Sequence, residues 1–444
     1  MALFILILGL VIEVALAASC FIVKPEQKKI KNYVRIGEFA LYVIFTLLPV
    51  LNWSFQWKGL ALLLAIKAVI AGISLIRKKP EKEFHPIKVI FRGIGSFMLI
   101  ASMLVPAFIF PQYQLPAMTG THEIGTAFYT YVDESRVETF ENTGAKRELN
   151  VEFWYPTDAT EGEKYPLVVF SHGAFGVRAS NTSAYMELAS NGYVVCSIDH
   201  PYHSMGTVDV NGKLSIVSME FMNQVLDINN GVYTDEEEIY QMEQEWMSIR
   251  VPDMEFVLDT ILEKAENPTE DAVYQMIDKE HIGLAGHSMG GATSAQVARE
   301  REDIDAVIDM EGTMLGEYIG FENGDYIINP EPYPVPILQV YTDNVKLQLE
   351  ELPDYEFVNE IVSATAPAYY EVWIKGTNHM SLTDLILFSP FLVNMIEGST
   401  ENINQAPPAD PYFILDTLNA SILDFFNCYL KDEGPFTMAG EYAE

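Results

Sequence analysis

The chain has 444 residues and a formal net charge of −35, and this length exceeds that of one ordinary domain. Residues 1–92 carry thirteen Lys/Arg and five Asp/Glu, whereas the remainder carries 14 basic and 57 acidic residues. Such an acidic remainder repels phosphate groups, which argues against nucleic acid as a partner. The three cysteines, Cys20, Cys196 and Cys428, suggest neither a disulfide framework nor a Cys-x-x-Cys metal site.

The first quarter of the chain contains four apolar stretches, at 1–23, 36–52, 55–76 and 89–110. Each is long enough, or nearly so, to cross about 30 Å of hydrocarbon as a helix, and the second is the shortest. The first stretch lacks the positively charged start of a signal peptide, so we expect it to be retained. Glu13 and Lys67 lie near the middle of the first and third stretches, where ionisable side chains usually face the bundle interior and pair.

The links between these stretches differ in charge. Basic residues are concentrated around 24–35 and 77–92, whereas the link between the second and third stretches contains only Lys58. Loops rich in Lys and Arg tend to stay in the cytoplasm, so both basic links are expected there. The N-terminus and everything after Phe110 then lie outside. The pattern predicts a multi-pass protein of the cell membrane with an extracytoplasmic C-terminal part.

Pro, Gly and Thr replace the long apolar runs between residues 113 and 147, which is typical of a linker. The sequence therefore predicts three parts. These are a membrane domain over 1–112 with about four transmembrane helices, a linker and lead-in over 113–147, and a soluble domain over 148–444.

Short apolar runs alternate with longer helical stretches throughout the soluble domain. Half-exposed or buried strands are predicted at ELNVEFWYP, YPLVVFSH, GYVVCSID, HIGLAG, DAVIDM, VPILQVYTD and YYEVWIK. Helices are predicted at 178–191, 235–265, 290–301, 345–362, 382–397 and 411–430, and the stretch 204–232 is a candidate part of a substrate entrance. This alternation favours an α/β fold with a mostly parallel sheet and helices on both faces. Active sites of such sheets lie at the carboxyl ends of the strands.

The run HIGLAGHSMGG contains the G-x-S-x-G pattern of a nucleophile elbow, with a predicted strand before it and a helix after it. The turn is strained and tightly packed, so it needs the small residues Gly286 and Gly290 around Ser288. Ser288 then stands at a helix N-terminus. There the backbone N–H of Met289 can stabilise a developing oxyanion.

A serine nucleophile needs a base, and in this arrangement the order along the chain is serine, acid, histidine. Of the eight histidines only His379 follows Ser288. The acid should follow a strand between them. Asp309, at the end of DAVID, and Asp343, at the end of ILQVYTD, fit equally well by spacing, and Glu311 is a third candidate.

The loop after the strand VVFS should supply the second oxyanion donor, and the N–H of Ala174 is the best candidate. We expect His172 to hold this loop. Phe175 and Met205, together with Met289, are the expected lining of an apolar acyl pocket.

The motifs VVFSHGAFG, LASNGYVVCSIDHPYHS, GHSMGG, VIDMEG and GTNHMSLTD occur in an order and spacing that resemble the platelet-activating-factor acetylhydrolase family of α/β-hydrolases, plasma-type and bacterial. The resemblance covers roughly residues 118–390. It implies Ser288 as nucleophile, Asp309 as acid, His379 as base, and oxyanion donors at Ala174 and Met289. It also implies metal-independent cleavage of short or oxidised acyl chains from phospholipids and related esters. The sequence departs from expectation at Pro201 and Tyr202, so substrate identity does not carry over.

The sequence thus predicts a membrane-anchored serine esterase that needs no cofactor and cleaves short-acyl esters of small amphiphilic, phospholipid-like substrates. Two alternatives remain at this point. One is a serine peptidase or thioesterase on the same scaffold. The other is a membrane sensor or transport protein whose hydrolase-like domain only binds. The oligomeric state is left open.

Overall fold

The structure is a computed structural model that describes residues 2–23, 27–48, 53–77, 84–266, 271–397 and 408–444. It divides into two compact units. The helical unit comprises Met1–Gln114 and Leu387–Ile396, and the sheet unit comprises Leu115–Ile386 and Glu397–Glu444. The return of residues 387–396 to the helical unit was not anticipated from the sequence.

The N-terminal part of the helical unit contains helices α1 (Ala2–Val23), α2 (Lys28–Leu47), α3 (Phe55–Ile76), α4 (Pro86–Ala101) and α5 (Val105–Ile109), with a 3₁₀ turn at Ser102–Leu104. Within the described residues, three helical segments are long and apolar enough to cross a membrane: Ala2–Val23, Phe55–Ile76 and Pro86–Ile109. Helix α2 is not among them, because its first turns include Lys28, Lys29, Lys31 and Arg35. The rest of the second predicted stretch, 49–52, and Lys24, Lys78, Lys79 and Lys82 of the basic links lie outside the described residues.

The expected pair of ionisable side chains is present in the helical unit. Lys67 Nζ lies 2.8 Å from a carboxylate oxygen of Glu13 and 2.8 Å from Ser96 Oγ. Arg35 Nη2 is 3.7 Å from the same Glu13 oxygen. Side chains of four helices therefore satisfy one another in a polar cluster inside this unit, as an apolar surrounding requires.

Residues 387–396 pack on the end of the helical unit through aromatic rings. The ring of Phe388 lies 5.0 Å from that of Phe110 and 6.1 Å from that of Tyr113, between ring centroids. Ser389 Oγ donates a hydrogen bond to the carbonyl oxygen of Ile109 at 2.6 Å. This segment thus shares a small core with the chain that leaves α5.

The sheet unit contains a nine-stranded sheet and two hairpins. Its strands are β1 (Ile124–Val137), β2 (Lys146–Pro156), β3 (Tyr165–Ser171), β4 (Val194–Asp199), β5 (Gly206–Val208), β6 (Leu214–Ile216), β7 (Ile277–His287), β8 (Ala306–Met310), β9 (Tyr318–Glu322), β10 (Asp325–Ile328), β11 (Ile337–Tyr341), β12 (Tyr369–Ile374) and β13 (Gly440–Tyr442). The strand order in the large sheet is β1-β2-β4-β3-β7-β8-β11-β12-β13. From β4 to β13 every neighbouring pair is parallel, and only β1 and β2 run antiparallel to their neighbours. The predicted α/β fold is confirmed.

The helices that follow are α6 (Thr182–Ser190), α7 (Met219–Asn229), α8 (Glu236–Glu266), α9 (Ala272–Gln275), α10 (Met289–Glu300), α11 (Asp343–Glu351), α12 (Val358–Ser363), α13 (Leu385–Phe388), α14 (Pro390–Glu397) and α15 (Pro411–Leu430), with 3₁₀ turns at Leu315–Glu317 and His379–Leu382. All six predicted helices are found. Two of them are interrupted, at 352–357 and at Ser389, where Pro390 follows.

The lead-in over 113–147 contains more regular secondary structure than the sequence suggested. Strand β1 pairs with β2 from Ile124, opposite Pro156, to Val137, opposite Lys146. The expected linker over 113–147 therefore contributes an edge strand, and it lacks long apolar runs because most of β1 is only partly buried.

The register of the central strands places three loops at one edge of the sheet. Ser171 of β3 is paired with Gly286 of β7, and Gly286 is paired with Asp309 of β8. The loops that follow β3, β7 and β8 therefore start side by side at their carboxyl ends, where active sites of parallel sheets lie.

Candidate active site

Ser288 occupies a strained turn between β7 and α10. Its backbone has φ 55° and ψ −128°, a combination that L-residues rarely adopt. The turn leaves no room for side chains beside it: a Cβ at Gly286 would lie 2.1 Å from the carbonyl oxygen of Gly290. A Cβ at Gly290 would lie 2.0 Å from the carbonyl oxygen of Ser171. The two glycines of the motif are thus required by the close approach of backbone to backbone.

His379 begins the 3₁₀ turn after β12, and Asn378 caps this turn. The Asn378 side chain accepts from the N–H of Ser381 at 3.1 Å, and the Ser381 hydroxyl accepts from the N–H of Asn378 at 3.1 Å. The carbonyl oxygen of His379 lies 3.0 Å from Nε2 of His287, and the two rings are 4.6 Å apart. Because His287 directly precedes Ser288, this contact joins the histidine loop to the nucleophile turn.

Glu311 is the carboxylate that contacts His379. Its Oε2 lies 2.9 Å from His379 Nδ1, and its side chain is 2% exposed. The other oxygen, Oε1, accepts from the backbone N–H of Thr342 at 2.9 Å and from the Thr342 hydroxyl. Glu311 has φ 56°, so the chain turns sharply as β8 ends and raises this side chain above the strand. Both carboxylate oxygens therefore have donors at the edge of the sheet.

The pairing with Glu311 changes the protonation of His379. Burial lowers the pKa of the imidazole, but the hydrogen bond to Glu311 and the charge of Glu311 outweigh it. The net result is a pKa for His379 above its ordinary value. The imidazolium form is thereby stabilised, as a base that receives a proton requires.

Asp309, the acid that the resemblance implied, lies in a different place. Its Oδ1 accepts from the N–H of Gly312 at 2.8 Å, and its Oδ2 accepts from the Asn359 amide at 3.2 Å. A Cβ at Gly291 would lie 1.9 Å from Oδ1, so the carboxyl group lies between β8 and α10. Among the described contacts none joins Asp309 to the His379 ring by a hydrogen bond. Burial raises the pKa of Asp309 to about 8.

Asp343, the other aspartate considered, supports the loop before His379. Its Oδ1 accepts from Trp373 Nε1 and its Oδ2 accepts from the N–H of Gly376, each at 2.9 Å. Both carboxylate oxygens of Asp343 are therefore hydrogen-bonded at the end of β12. Of the three carboxylates that spacing left open, Glu311 is the one brought to the histidine.

The loop after β3 lies against Ser288. A Cβ at Gly173 would be 3.1 Å from Cβ of Ser288. Within the described chain, the backbone N–H groups of Ala174 and Met289 donate to no protein acceptor. Two free donors thus flank Ser288 from the two loops that were predicted to form an oxyanion hole.

His172 holds this loop, as expected from the sequence. Its Nδ1 donates to the carbonyl oxygen of Gly173 at 2.6 Å, and its Nε2 lies 2.7 Å from Ser204 Oγ. Burial lowers the pKa of His172 well below its ordinary value, with the charge of Arg250 acting in the same direction. The ring is therefore neutral and acts as a fixed structural donor.

An apolar cluster lies beside the nucleophile turn. Its buried members are Val217, Phe221, Val225, Met242, Trp246 and Met289, and Ala174 and Phe175 pack against them. Met205 is instead 52% exposed, although its N–H donates to the carbonyl oxygen of Phe175 at 3.3 Å. Helix α7 carries Phe221 and Val225, which sequence reasoning did not select, and the spacing of apolar residues at 217, 221 and 225 is the signal that could have identified them. No grouping of three His, Cys, Asp or Glu side chains suited to a metal occurs in the described part of the chain.

The chain resembles several curated esterases in sequence. It is 29% identical over 189 residues to platelet-activating factor acetylhydrolase of Canis lupus familiaris, an alignment that covers 39% of this chain and 42% of the relative. The Bos taurus protein of the same name is 26% identical over 210 residues, covering 44% and 45%. The chain thus matches less than half the length of these relatives. A probable 1-alkyl-2-acetylglycerophosphocholine esterase of Arthroderma benhamiae is 25% identical over 181 residues, covering 40% and 39%.

The fold also occurs among solved structures. A ferulic acid esterase from Streptomyces cinnamoneus superposes with a TM-score of 0.52 and 20% identity, and the match covers 72% of this chain and 94% of that one. At this identity the likeness shows the α/β-hydrolase-like fold alone. The family model of platelet-activating factor acetylhydrolase, isoform II, matches residues 157–437, which include the nucleophile turn, the Glu311 turn and the histidine loop. The chain therefore belongs to the platelet-activating factor acetylhydrolase, isoform II, family.

Proposed function

We propose that the protein is a membrane-anchored carboxylic ester hydrolase whose triad is Ser288, His379 and Glu311. The observation that carries this proposal is the 2.9 Å contact between His379 Nδ1 and Glu311 Oε2, in a loop that is itself joined to His287 beside the nucleophile. Nδ1 is thus occupied by the acid, and Nε2 remains for the serine proton. The strained conformation of Ser288 at the start of α10 supports the role of nucleophile.

The reaction follows from these positions. His379 takes the proton of Ser288 Oγ as that oxygen attacks the ester carbonyl, and Glu311 stabilises the imidazolium that forms. The N–H groups of Ala174 and Met289 donate to the oxyanion. The imidazolium then protonates the leaving alkoxide, which departs as an alcohol. Water, activated by His379, hydrolyses the acyl-serine and releases the carboxylic acid.

Glu311 replaces Asp309 as the proposed acid because a triad acid must contact the base. Asp309 instead holds the N–H of Gly312, the residue that follows Glu311 in the turn. Its role in this proposal is to keep the Glu311 turn against α10.

We propose short-acyl, neutral or zwitterionic amphiphilic esters as substrates. The apolar cluster around Phe175, Phe221 and Met289 suits an acyl chain of limited length. The names of the relatives, platelet-activating factor acetylhydrolase and 1-alkyl-2-acetylglycerophosphocholine esterase, describe substrates of this class. The acidity of the sheet unit disfavours strongly anionic esters.

The proposed location is the cell membrane, with the sheet unit outside the cytoplasm. Three crossings alone would place the basic links around 24–35 and 77–92 on opposite sides of the membrane. Both links stay in the cytoplasm if α2 crosses as well, so we include α2 as the fourth crossing.

Two measurements on the purified full-length protein test this function. A fluorophosphonate probe should label the wild type, but neither Ser288→Ala nor His379→Ala. Hydrolysis of p-nitrophenyl esters from acetate to palmitate should be fastest at the short end, with a dipeptide amide cleaved more slowly than acetate. Ser288→Ala should lower ester hydrolysis by about 10⁶-fold. Wild-type turnover by Ser288→Ala would refute the nucleophile, and a maximum at palmitate would refute the substrate class.

A further inference from the structure

Arg250 lies behind the proposed oxyanion loop and is fully buried in α8. Its guanidinium donates from Nη1 to the carbonyl oxygen of His172 and from Nη2 to the carbonyl oxygen of Gly173 at 3.1 Å. Nη1 is also 3.4 Å from the Ser171 hydroxyl. One side chain therefore contacts three successive residues at the end of β3.

The Gly173 carbonyl receives donors from three directions. Besides Arg250, it accepts from His172 Nδ1 at 2.6 Å and from the N–H of Gly176 at 3.1 Å. A peptide unit is planar and trans, so its N–H points opposite to its C=O. Fixing the Gly173 carbonyl therefore fixes the direction of the Ala174 N–H, which belongs to the same peptide unit.

This peptide unit lies beside the reacting serine. A Cβ at Gly173 would be 3.1 Å from Cβ of Ser288, and the Ala174 N–H has no acceptor in the described chain. A donor held in place before the reaction contributes more than one that must reorient, because no reorganisation is needed as charge develops. The contacts of Arg250 supply this prior orientation.

The charge of Arg250 is also not cancelled by a direct partner. In the described part of the chain no carboxylate oxygen forms an ion pair with it, and the neighbouring Asp253 is bound by Arg147, Arg136 and His200. A buried charge without a close counter-charge is costly. The contacts of Arg250 with the carbonyl oxygens of His172 and Gly173 offset part of this cost.

We propose that Arg250 is a positioning residue for the oxyanion hole: it sets the Gly173–Ala174 peptide so that the Ala174 N–H is aimed at the oxyanion. This inference rests on the proposed esterase function. Arg250 does not touch substrate, so its effect should appear in transition-state binding and leave ground-state binding unchanged.

The test compares Arg250→Lys and Arg250→Ala with the wild type in the full-length protein. We expect kcat for p-nitrophenyl acetate to fall roughly 10²-fold in both variants, with KM changed less than threefold, as for the loss of one oxyanion donor. The affinity for an alkyl trifluoromethyl ketone, which forms an oxyanion on the serine, should fall by the same factor. The affinity for the corresponding ether, which cannot form one, should stay unchanged. Added guanidinium ion should restore part of kcat to Arg250→Ala, and ammonium ion should not.

Arg147→Lys is the matched control, because Arg147 is also buried in the same polar network, but its side chain contacts Asp253, Glu138 and the carbonyl oxygen of Pro201. The melting temperature of Arg147→Lys should fall, whereas its kcat per folded molecule should stay at the wild-type value. Equal loss of ketone and ether affinity in the Arg250 variants, unchanged kcat, or failure of even Arg250→Lys to fold would each overturn the positioning role. If the wild type itself is not labelled by a fluorophosphonate, the esterase proposal fails first, and the two failures are thereby distinguished.

Discussion

The choice of Glu311 as the proposed acid shows how much depends on single residues at this site. Glu311 and Asp309 are two positions apart, yet one carboxylate contacts His379 and the other lies between β8 and α10. The difference comes from the end of the strand. Asp309 is still within β8, whereas Glu311 lies in a turn with positive φ and has one more methylene with which to reach the imidazole.

A pair of isosteric substitutions separates the two carboxylates. Glu311→Gln should lower kcat by roughly 10⁴-fold, because the amide cannot stabilise the imidazolium or hold its tautomer. Asp309→Asn should lower kcat less than about tenfold, since with its pKa raised to about 8 the native side chain is already mostly uncharged at neutral pH. Steady-state kinetics on both purified variants gives the comparison. The opposite ranking would restore Asp309 as the acid.

The raised pKa of His379 predicts the acid side of the pH profile. The base must be neutral, so kcat/KM should fall about tenfold per unit as pH decreases below the His379 pKa, which lies above its ordinary value. In Glu311→Gln, His379 loses its hydrogen bond to a charged acid. Burial then determines the pKa of His379 and lowers it, so the acid limb of the profile should move to lower pH. Profiles of both proteins from pH 5 to 9 test this. An unmoved limb would mean that Glu311 does not set the protonation of His379.

Ser288 and His379, the proposed nucleophile and base, could be selected from the sequence because each selection depends on a local pattern or on elimination. The G-x-S-x-G run fixes the first, and the second is the one histidine that follows it. The proposed acid instead depends on a turn conformation at Glu311 that no local pattern marks. Arg250 was missed for a similar reason, because a long helix brings it to the loop after β3 from almost eighty residues away in sequence.

At the scale of elements, the sequence predicts a strand or helix best where that element is buried on one side or buried completely. Strands β3, β4, β8 and β11 are buried throughout and were all recognised. Strand β1 was missed because most of its side chains are only partly covered. Helix α2 begins earlier than the apolar stretch that predicted it, because amphipathic helices include charged turns that hydropathy alone leaves out.

Helix α7 gives a prediction about acyl-chain selectivity. Phe221 lies in the cluster that includes Met289, and its ring is 5.5 Å from that of Phe175. Phe221→Ala should enlarge the proposed acyl pocket, so kcat/KM for hexanoate and octanoate esters should rise relative to acetate. Each methylene accommodated is worth about 1–3 kcal/mol of discrimination.

Phe153→Ala is the control for this variant, because Phe153 is fully buried in a different hydrophobic cluster of the sheet unit. Both substitutions should lower the free energy of unfolding by about 3–5 kcal/mol. Chain-length selectivity should change in Phe221→Ala alone. A selectivity change of equal size in both would trace the effect to general loosening of the fold.

At the scale of the whole molecule, the proposed membrane topology must account for the uneven distribution of charge along the chain. Single cysteines at Gln27, His85 and Asn211 test the proposed arrangement in intact cells with a membrane-impermeant maleimide. Asn211→Cys should react, whereas Gln27→Cys and His85→Cys should react only after permeabilisation. The wild type supplies the background, since Cys20 and Cys196 are buried and Cys428 is partly covered.

The labelling pattern also tests the crossing of α2. If α2 does not cross, Gln27 lies on the same side as Asn211, so the two variants give the same result: both react or neither does. If His85→Cys reacts and Asn211→Cys does not, the sheet unit lies in the cytoplasm and the proposed orientation is wrong.

Residues 387–396 impose an order on biosynthesis. They pack on the chain that leaves α5, although more than 270 residues of the sheet unit are synthesised between the two segments. The ribosome therefore releases helices α1 to α5 long before residues 387–396 emerge. These residues begin only eight positions after His379. This late segment must therefore find helices that are already in place. A gene fragment that begins after residue 114 would encode every proposed catalytic group and still leave Phe388 without its aromatic neighbours, so the hydrolase is not separable at a single cut.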